Sequence, residues 1–336
     1  MNKTYRISEL IPFINWLYFY HAWGLSGKPK ADKEKIKQEA LQMLASWEEK
    51  YHTHAIFKLF EVGSEGDDLI FFLPSTSEKN GISGASEKNG ISGTSEENGI
   101  SGTSGENGIS GTSGGNGTPG TSGTSGIESN GIEEKKEKNL RFPMLRQQHP
   151  SAPGEPNLCL ADFIRPLSQG IRDQIGVFCT SVDGTIIDVY RHDDYLNMMA
   201  QTLSDRLAEA TAEKLHEEVR KEYWGYAPDE NLTIEQQHRE EYQGIRPAIG
   251  YPSLPDTSAN FLINQLLDMK QAGIRLTETG MMTPHASVSG LMFSHPKARY
   301  FELGKIGDDQ LRDYARRRGV PVELMRRFLQ SSLIKK

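Results

Sequence analysis

The sequence predicts an α+β fold in which helices surround a twisted, mainly antiparallel β-sheet, and in which a long disordered insertion extends one hairpin. Two observations favour this fold. The strand candidates cluster late in the chain and are not each followed by the crossover helix that a parallel sheet requires. A low-complexity tract also separates two apolar runs, residues 68–73 and 140–145, which are typical of neighbouring strands.

The N-terminal part of the chain is predicted to be helical and buried. Residues 10–25 form the most apolar stretch, but Pro12 and His21 interrupt it and it is shorter than the roughly 20 residues of a membrane span. We therefore expect it to form core. Residues 32–49 predict a helix that Asp32 caps. Its apolar face would comprise Ile36, Ala40, Met43, Leu44 and Trp47.

The tract between the two apolar runs repeats with a period of nine residues, beginning SEKNGISGA and SEKNGISGT at Ser77. Its Gly, Ser, Asn and Glu side chains bury too little apolar area to offset the entropy of ordering. A flexible loop is the better interpretation, although the strict period leaves a β-solenoid as an alternative. Residues 1–75 and 140–336 would then form a single domain, with 76–139 inserted at a hairpin tip where long loops cost little.

The second half of the chain predicts alternating helices and strands. Residues 193–222 form the longest helix; 260–272 and 308–318 form two more, the last ended by Gly319 and Pro321 and followed by a short helix through Phe328. Strands are predicted at residues 175–181, 287–293 and 300–306. The buried stripe of the longest helix would comprise Met199, Leu203, Leu207, Ala210, Leu215 and Val219.

Composition narrows the class of protein. The net charge of −7 argues against a nucleic-acid partner. Cys159 and Cys179 are the two cysteines, neither in a metal-ligand spacing, and the sequence shows no targeting segment or membrane span. A reducing cytoplasm fits this usage best.

Three strings contain residue types that have no obvious structural need. One of them, YWGYAP at 223–228, ends the longest helix in an aromatic turn, and packing is its default explanation. The other two are more informative. The first, REEYQGIRPAIGYP at 239–252, is too rich in Gly and Pro to continue a helix or a central strand, so it can hold an Arg fork around a carboxylate. The alternative is an ordinary surface loop with one solvated Arg. The second, TPHASVSGLMFSHP at 283–296, has small residues where a ligand or another backbone can approach. His285 and His295 are more often structural histidines than ligands.

With NLCLADF at 157–163 and DRLAEA at 205–210, these strings resemble the C-terminal activation domain of cobalamin-dependent methionine synthase. The resemblance runs from about residue 14 to residue 328, broken by the repeat tract. The chain begins and ends almost where that domain does. The resemblance therefore implies a reactivation subunit whose cobalamin is carried by a separate chain.

In that family the domain binds S-adenosylmethionine in a shallow groove. The resemblance implies that Arg246 holds the ligand carboxylate, and that Glu240 reaches its amino group or ribose. The backbone at Ala248 and the ring of Tyr251 would shape the pocket. The adenosine end would contact Tyr300, with Phe301 beside it.

Three further residues come from the same resemblance. Asn15 stands where the family often has Asp, and the lost charge would weaken binding by about tenfold. Asp205 and Glu209 lie four apart on one helical face, and the resemblance implies that they face the cobalamin module and receive the histidine that leaves cobalt. The alternative is a surface pairing of these acids with Arg206 or Lys214.

The implied function is reductive methylation of cob(II)alamin, with S-adenosylmethionine as methyl donor, a cobalamin-binding methionine synthase chain as partner and a flavodoxin-like electron donor. No catalytic residue or metal site of its own is expected, because the sulfonium already activates the methyl group. Two alternatives stay open. In the first, the chain positions S-adenosylmethionine for another corrinoid methyltransferase. In the second, it is a non-catalytic scaffold that no longer binds the ligand.

Overall fold

The computed structural model describes residues 1–74 and 138–334, and its α+β architecture confirms the predicted fold class. Antiparallel pairing joins the named strands into a sheet of order β4-β3-β2-β5-β8, with β1 also on β2, and into a separate β6-β7 pair. The strands are β1 Asn2–Arg6, β2 His52–Glu65, β3 Asp68–Leu73, β4 Lys138–Pro143, β5 Asp173–Val182, β6 Arg275–Leu276, β7 Met282–Thr283 and β8 Ser287–Met292.

The long central strand β2 organises the sheet, and neither it nor β1 was predicted from the sequence. One edge of β2 pairs first with β1 and then with β3, whereas the other pairs with β5 from Thr53 to Val62. Ile56 and Phe60 belong to one hydrophobic cluster and Phe57 to another, so both faces of the strand are covered. A strand buried on both faces lacks the simple alternation that identifies a half-exposed strand.

The predicted strands have mixed outcomes. The strand predicted at 175–181 is confirmed as part of β5. The strand predicted at 287–293 is confirmed as β8, apart from its last residue, Phe293. The predicted pairing of the two runs around the tract is also confirmed, since Leu73 of β3 lies opposite Lys138 of β4. The tract itself, predicted as a flexible loop with a β-solenoid as the alternative, lies outside the described residues.

The strand predicted at 300–306 is wrong. This segment is irregular, with a single bridge from Ile306 to Leu333. Its backbone is satisfied by other partners instead of by a ladder: Leu303 N donates to Pro252 O (3.1 Å), and the carbonyl of Glu302 accepts from Gln147 Nε2 (2.8 Å). Hydrogen bonds to a side chain and a loop therefore replace those of a strand.

The helices surround this sheet. They are α1 Ile7–Leu10, α2 Trp16–Ala22, α3 Lys30–Trp47, α4 Ile186–Val189, α5 Asp194–Glu218, α6 Ile234–His238, α7 Asn260–Leu266, α8 Asp308–Arg318 and α9 Val322–Phe328. Within the described ranges, no helix is both long enough and apolar enough to cross a membrane.

The longest predicted helix is confirmed as α5, which lies across β5, β2 and β8. The side chain of Asp193 caps it by accepting from Leu196 N (2.9 Å). All six residues of the predicted apolar stripe are buried. After Glu218 the helix widens into a π-turn, Val219–Tyr223, so the last residues of the predicted range are not α-helical.

Three helix predictions need correction. The helix α3 is confirmed, but Pro29 occupies its N-cap and Asp32 lies inside the first turn. The range 260–272 is interrupted because Leu267 is extended (φ −120°, ψ 136°), and a 3₁₀ turn follows. Residues 10–25 are core only in part: Phe19 is buried, whereas Leu17 is 68% exposed. The helices α8 and α9 agree with the sequence.

Candidate ligand-binding cavity

The Arg-containing string at 239–252, here called the irregular wall, runs along the outer edge of β8. Ile249 N donates to Ser289 O (2.8 Å), and Leu291 N donates to Pro247 O (3.1 Å). Isolated bridges join Ile245 to Phe293 and Ala248 to Gly290. The wall thus supplies hydrogen-bond partners to the backbone of the edge strand β8. It does not form a regular strand itself, since Pro247 has no N–H to donate.

Two glycines make this close approach possible. A Cβ atom on Gly290 would lie 2.3 Å from Pro247 O, and one on Gly244 would lie 2.2 Å from Phe293 O. Gly244 also has a φ of 85°, in the left-handed region that side chains disfavour. Gly290, one of the small residues that the sequence singled out in 283–296, therefore serves the approach of another backbone segment.

A cavity of about 970 Å³ opens between the irregular wall, one face of α5, the region before α2, and residues 300–305. The α5 face, with Glu209 and Glu213, is called the helical wall below. Seven predicted ligand-binding residues line this cavity: Asn15, Glu240, Arg246, Ala248, Tyr251, Tyr300 and Phe301. The fold therefore brings together residues that are up to 286 positions apart in the sequence.

Arg246 lies at the centre of the irregular wall and is only 7% exposed. Its backbone N–H donates to the hydroxyl of Tyr300 (2.8 Å), and its Nη2 donates to Glu213. Burial is the largest influence and acts to lower the pKa of Arg246, but Glu213 together with Tyr300, Tyr242 and Glu209 outweighs it, so the pKa is raised. The cavity therefore contains a permanently charged guanidinium whose main chain and side chain are both anchored.

Carboxylates surround this guanidinium. Glu213 contacts it, and Glu209 on the same helical wall accepts from the hydroxyl of Tyr251. Partial desolvation and the neighbouring Glu213 raise the pKa of Glu240 above its ordinary value. Glu240 also has a φ of 59°, a strained conformation that a non-glycine residue rarely adopts. In total the cavity lining contains four carboxylates against three Lys or Arg side chains.

A buried polar layer supports the cavity from behind. The hydroxyl of Tyr242 lies 3.5 Å from that of Tyr300. Arg220 is fully buried, pairs with Glu230 and stacks on the Tyr242 ring at 4.3 Å. Burial, followed by the charge of Arg220, lowers the pKa of His216, which packs on the same ring. These contacts hold Tyr242, which lies beside Tyr300, and the hydroxyl of Tyr300 accepts from the backbone N–H of Arg246.

The remaining predicted residues have distinct settings. Asn15 lines the cavity and also caps α2, because its side chain accepts from Leu17 N (3.1 Å). Asp205 is not among the lining residues; it contacts His285 Nδ1 at 3.3 Å. Glu209 does line the cavity, so the two acids of the expected cobalamin contact have different surroundings.

Among the salt bridges of the described residues, neither of these two acids pairs with Arg206 or Lys214. Arg206 lies over the ring of Tyr18 at 5.9 Å, and Lys214 pairs with Glu218 at 3.2 Å.

Sequence reasoning missed many of the lining residues, among them two polar side chains on the helices α5 and α6. Glu213 extends the series Asp205 and Glu209 by the same spacing of four, so the helical periodicity contained the signal for it. Gln237 on α6 is 3% exposed, and its Oε1 has no hydrogen-bond partner within the described part of the chain. Gln236 is marked by the capping box that it forms with Thr233, whereas no local pattern marks Gln237 as a lining residue.

Among residues 1–74 and 138–334, no group of three or more His, Cys, Asp or Glu side chains is arranged to hold a metal ion. Cys159 and Cys179 are both buried and unpaired. Burial raises the pKa of each thiol to about 12. Both thiols are therefore protonated at neutral pH and unreactive as nucleophiles.

Comparison with known proteins identifies the family. The sequence model of the activation domain of vitamin B12-dependent methionine synthase matches residues 6–87 and 119–319. A solved structure, the crystal structure of the MetH reactivation domain bound to AdoHcy, is 32% identical and superimposes with a TM-score of 0.76, covering 100% of this chain and 90% of that one. The chain therefore belongs to the family of vitamin B12-dependent methionine synthase activation domains.

Proposed function

We propose that this chain binds S-adenosylmethionine in the cavity around Arg246 and acts as the reactivation subunit of a cobalamin-dependent methionine synthase. The methyl group of the sulfonium and one electron from a flavodoxin-like donor would convert cob(II)alamin on a partner chain to methylcobalamin, leaving S-adenosylhomocysteine. Membership of the family supports this role. The similar MetH reactivation domain bound to AdoHcy, the demethylated product, supports the same ligand class.

The observation that carries the proposal is the charge arrangement at the centre of the cavity. S-adenosylmethionine has one carboxylate and two cationic groups, the ammonium and the sulfonium. The cavity offers one buried guanidinium at Arg246, which takes the carboxylate, and nearby carboxylates at Glu209 and Glu240 for the cations. A neutral or purely anionic ligand would leave these acids uncompensated.

The adenosine end of the ligand fits the aromatic side of the cavity. Tyr300 and Phe301 line that side, and the hydroxyl of Tyr300 is already occupied by Arg246 N, so its ring is held in place. Ala248 is small and is bridged to β8, which leaves room for the ligand. A fixed aromatic surface is suited to an adenine ring.

The chain's contribution to the chemistry is positioning. The sulfonium makes its methyl group electrophilic without proton transfer, so the residues of the cavity need only bind the ligand and orient the methyl towards the partner. Orientation of this kind accounts for a large part of many rate enhancements. Asp205 and Glu209 are the proposed contacts with the partner chain, and Asp205 outside the cavity is free of any proposed ligand contact.

The first experiment is a calorimetric titration of the purified chain with S-adenosylmethionine, beside an Arg246→Ala variant. We expect saturable binding that the variant loses by about 100-fold or more, because a buried charged hydrogen bond to the carboxylate disappears. Lys221→Ala, in the π-turn that follows α5 and outside the cavity lining, is the matched control for loss of a cation. Equal binding by both variants would contradict the proposed site.

The second experiment reconstitutes methylation with a cobalamin-bearing methionine synthase chain and a reduced flavodoxin-like donor. Asp205→Asn should slow methylation while leaving the Kd for S-adenosylmethionine unchanged. Unchanged methylation by this variant would favour the accessory role for another corrinoid methyltransferase, in which Asp205 and Glu209 have no cobalamin contact.

The scaffold alternative is favoured by one observation, Asn15 in place of the family's Asp. Its side chain already caps α2, and an Asp would cap equally well, so the substitution removes charge without removing structure. Asn15→Asp should therefore tighten binding by about tenfold. Binding by Asn15→Asp alone, with none by the natural sequence, would identify a scaffold that has lost its ligand.

A further inference from the structure

Glu213 contacts the guanidinium of Arg246 directly, and the contact joins the two walls of the cavity. Glu213 belongs to α5, whereas Arg246 belongs to the irregular wall, so the ion pair is a tertiary contact. The Arg246 side chain is 7% exposed and that of Glu213 is 20% exposed. Solvent therefore screens this pair weakly, and the geometry of the carboxylate determines where the guanidinium lies.

The contact uses only part of each group. Nη2 of Arg246 donates to Oε1 of Glu213. Nε of Arg246 and Oε2 of Glu213 are both buried and have no partner within the described ranges. A purely structural pair would be expected to close as a two-pronged contact, because buried polar atoms without partners are costly. The pair instead holds the guanidinium in an orientation that leaves hydrogen-bonding capacity unused.

We propose that Glu213 is a positioning residue for the carboxylate of the ligand. It anchors one nitrogen of Arg246 to α5 and so fixes the plane of the guanidinium. The remaining N–H groups then donate to the carboxylate of the ligand. This inference rests on the function proposed above. Fixing the guanidinium before binding lowers the entropic cost of ordering it when the ligand arrives.

The test compares two ligands that differ in the group that Arg246 would hold. S-adenosylmethionine has the amino-acid head group and a sulfonium, whereas 5′-methylthioadenosine retains the adenosine but lacks that head group and has a neutral sulfur. S-adenosylhomocysteine, which has the head group and a neutral sulfur, shows whether a loss of affinity follows the head group or the sulfonium charge. Glu213→Gln keeps the size and an acceptor oxygen but removes the charge. We expect its Kd for S-adenosylmethionine to rise by about tenfold and its Kd for 5′-methylthioadenosine to change by less than about twofold.

Glu217→Gln is the matched control. Glu217 lies one turn further along α5, contacts Lys221 at 3.6 Å and does not line the cavity. Its substitution should change neither Kd. If Glu213→Gln does not fold, as a melting curve will show, Glu213→Asp replaces it; the shorter acid retracts the guanidinium and should weaken S-adenosylmethionine alone.

A double-mutant cycle separates action through Arg246 from direct contact with the ligand. In an Arg246→Met background, Glu213→Gln should cause no further loss of affinity. An independent tenfold loss there, an equal loss for both ligands, or an unchanged Kd for S-adenosylmethionine would each overturn the positioning role. Failure of the natural sequence to bind S-adenosylmethionine would instead overturn the proposed function and the inference together.

Discussion

The two walls of the cavity are built in different ways. The helical wall belongs to α5, which has its own N-cap at Asp193 and its own buried stripe, so Glu209 and Glu213 share a face because of helical periodicity alone. The irregular wall has no such internal order: Arg246 is placed by bonds to Tyr300 and by the edge of β8. One wall is therefore a local structure, and the other depends on partners distant in the sequence.

This contrast predicts that small changes in β8 will damage the site more than larger changes in α5. Gly290→Ala should have the largest effect, because the new Cβ would lie 2.3 Å from Pro247 O and 2.9 Å from Ala248 Cα. Overpacking of this kind costs about 3 kcal/mol of unfolding free energy. Denaturant unfolding and ligand titration should both detect the change. A Gly290→Ala protein with natural stability and affinity would show that the irregular wall adapts freely.

Tyr300→Phe should have the next largest effect. The change removes the acceptor of the Arg246 N–H and leaves that donor unsatisfied, at a cost of about 2 kcal/mol. Affinity for S-adenosylmethionine should fall with stability, since the same bond places the backbone that carries the Arg246 side chain. Tyr223→Phe, at the end of the π-turn after α5, is a suitable control. A loss of stability without any loss of affinity would mean that Arg246 is placed by Glu213 alone.

Asp193→Ala should have a smaller effect on stability and should leave ligand affinity unchanged. Loss of the N-cap costs about 1 kcal/mol of unfolding free energy, because the N–H of Leu196 loses its partner. The carboxylates at positions 209 and 213 lie several turns away, so the Kd for S-adenosylmethionine should not change. A substantial loss of affinity would show that the helical wall is less autonomous than its local contacts indicate.

Glu240→Gln should have the smallest effect on stability, and the variant should be slightly more stable than the natural sequence. Because the folded-state pKa of Glu240 is raised, its ionised form is disfavoured in the folded protein. The variant should therefore melt at a slightly higher temperature above that folded-state pKa. This gain should disappear as the pH falls towards and below the ordinary value of a glutamate, where both states bind the proton.

The same acid is proposed to attract the ligand's cations, so Glu240→Gln should also weaken binding of S-adenosylmethionine several-fold at neutral pH. Melting curves and titrations across pH 4 to 8 would test both effects. A variant that is less stable at neutral pH would contradict the raised pKa.

Predictions from the sequence succeeded where a local rule applied and failed where contacts with distant segments determined the secondary structure. The amphipathic period of α5 and the Gly319 stop after α8 were both local and both right. The strand β2 was missed because three consecutive residues from Ala55 are buried, which hides the alternation of a strand. Residues 300–306 were read as a strand because their composition fits one, but Gln147 and Pro252 take up their backbone groups.

The sequence by itself determined the fold class, the pairing of β3 with β4, the longest helix and, through the resemblance, a set of residues that line one cavity. Periodicity, caps and glycine stops act over a few residues, so these features can be read directly. Only the tertiary structure showed that Glu213 holds Arg246, that Asp205 lies outside the cavity, and that Gly244 and Gly290 admit the irregular wall. Those facts depend on contacts between segments far apart in the chain, and no local pattern encodes such distances.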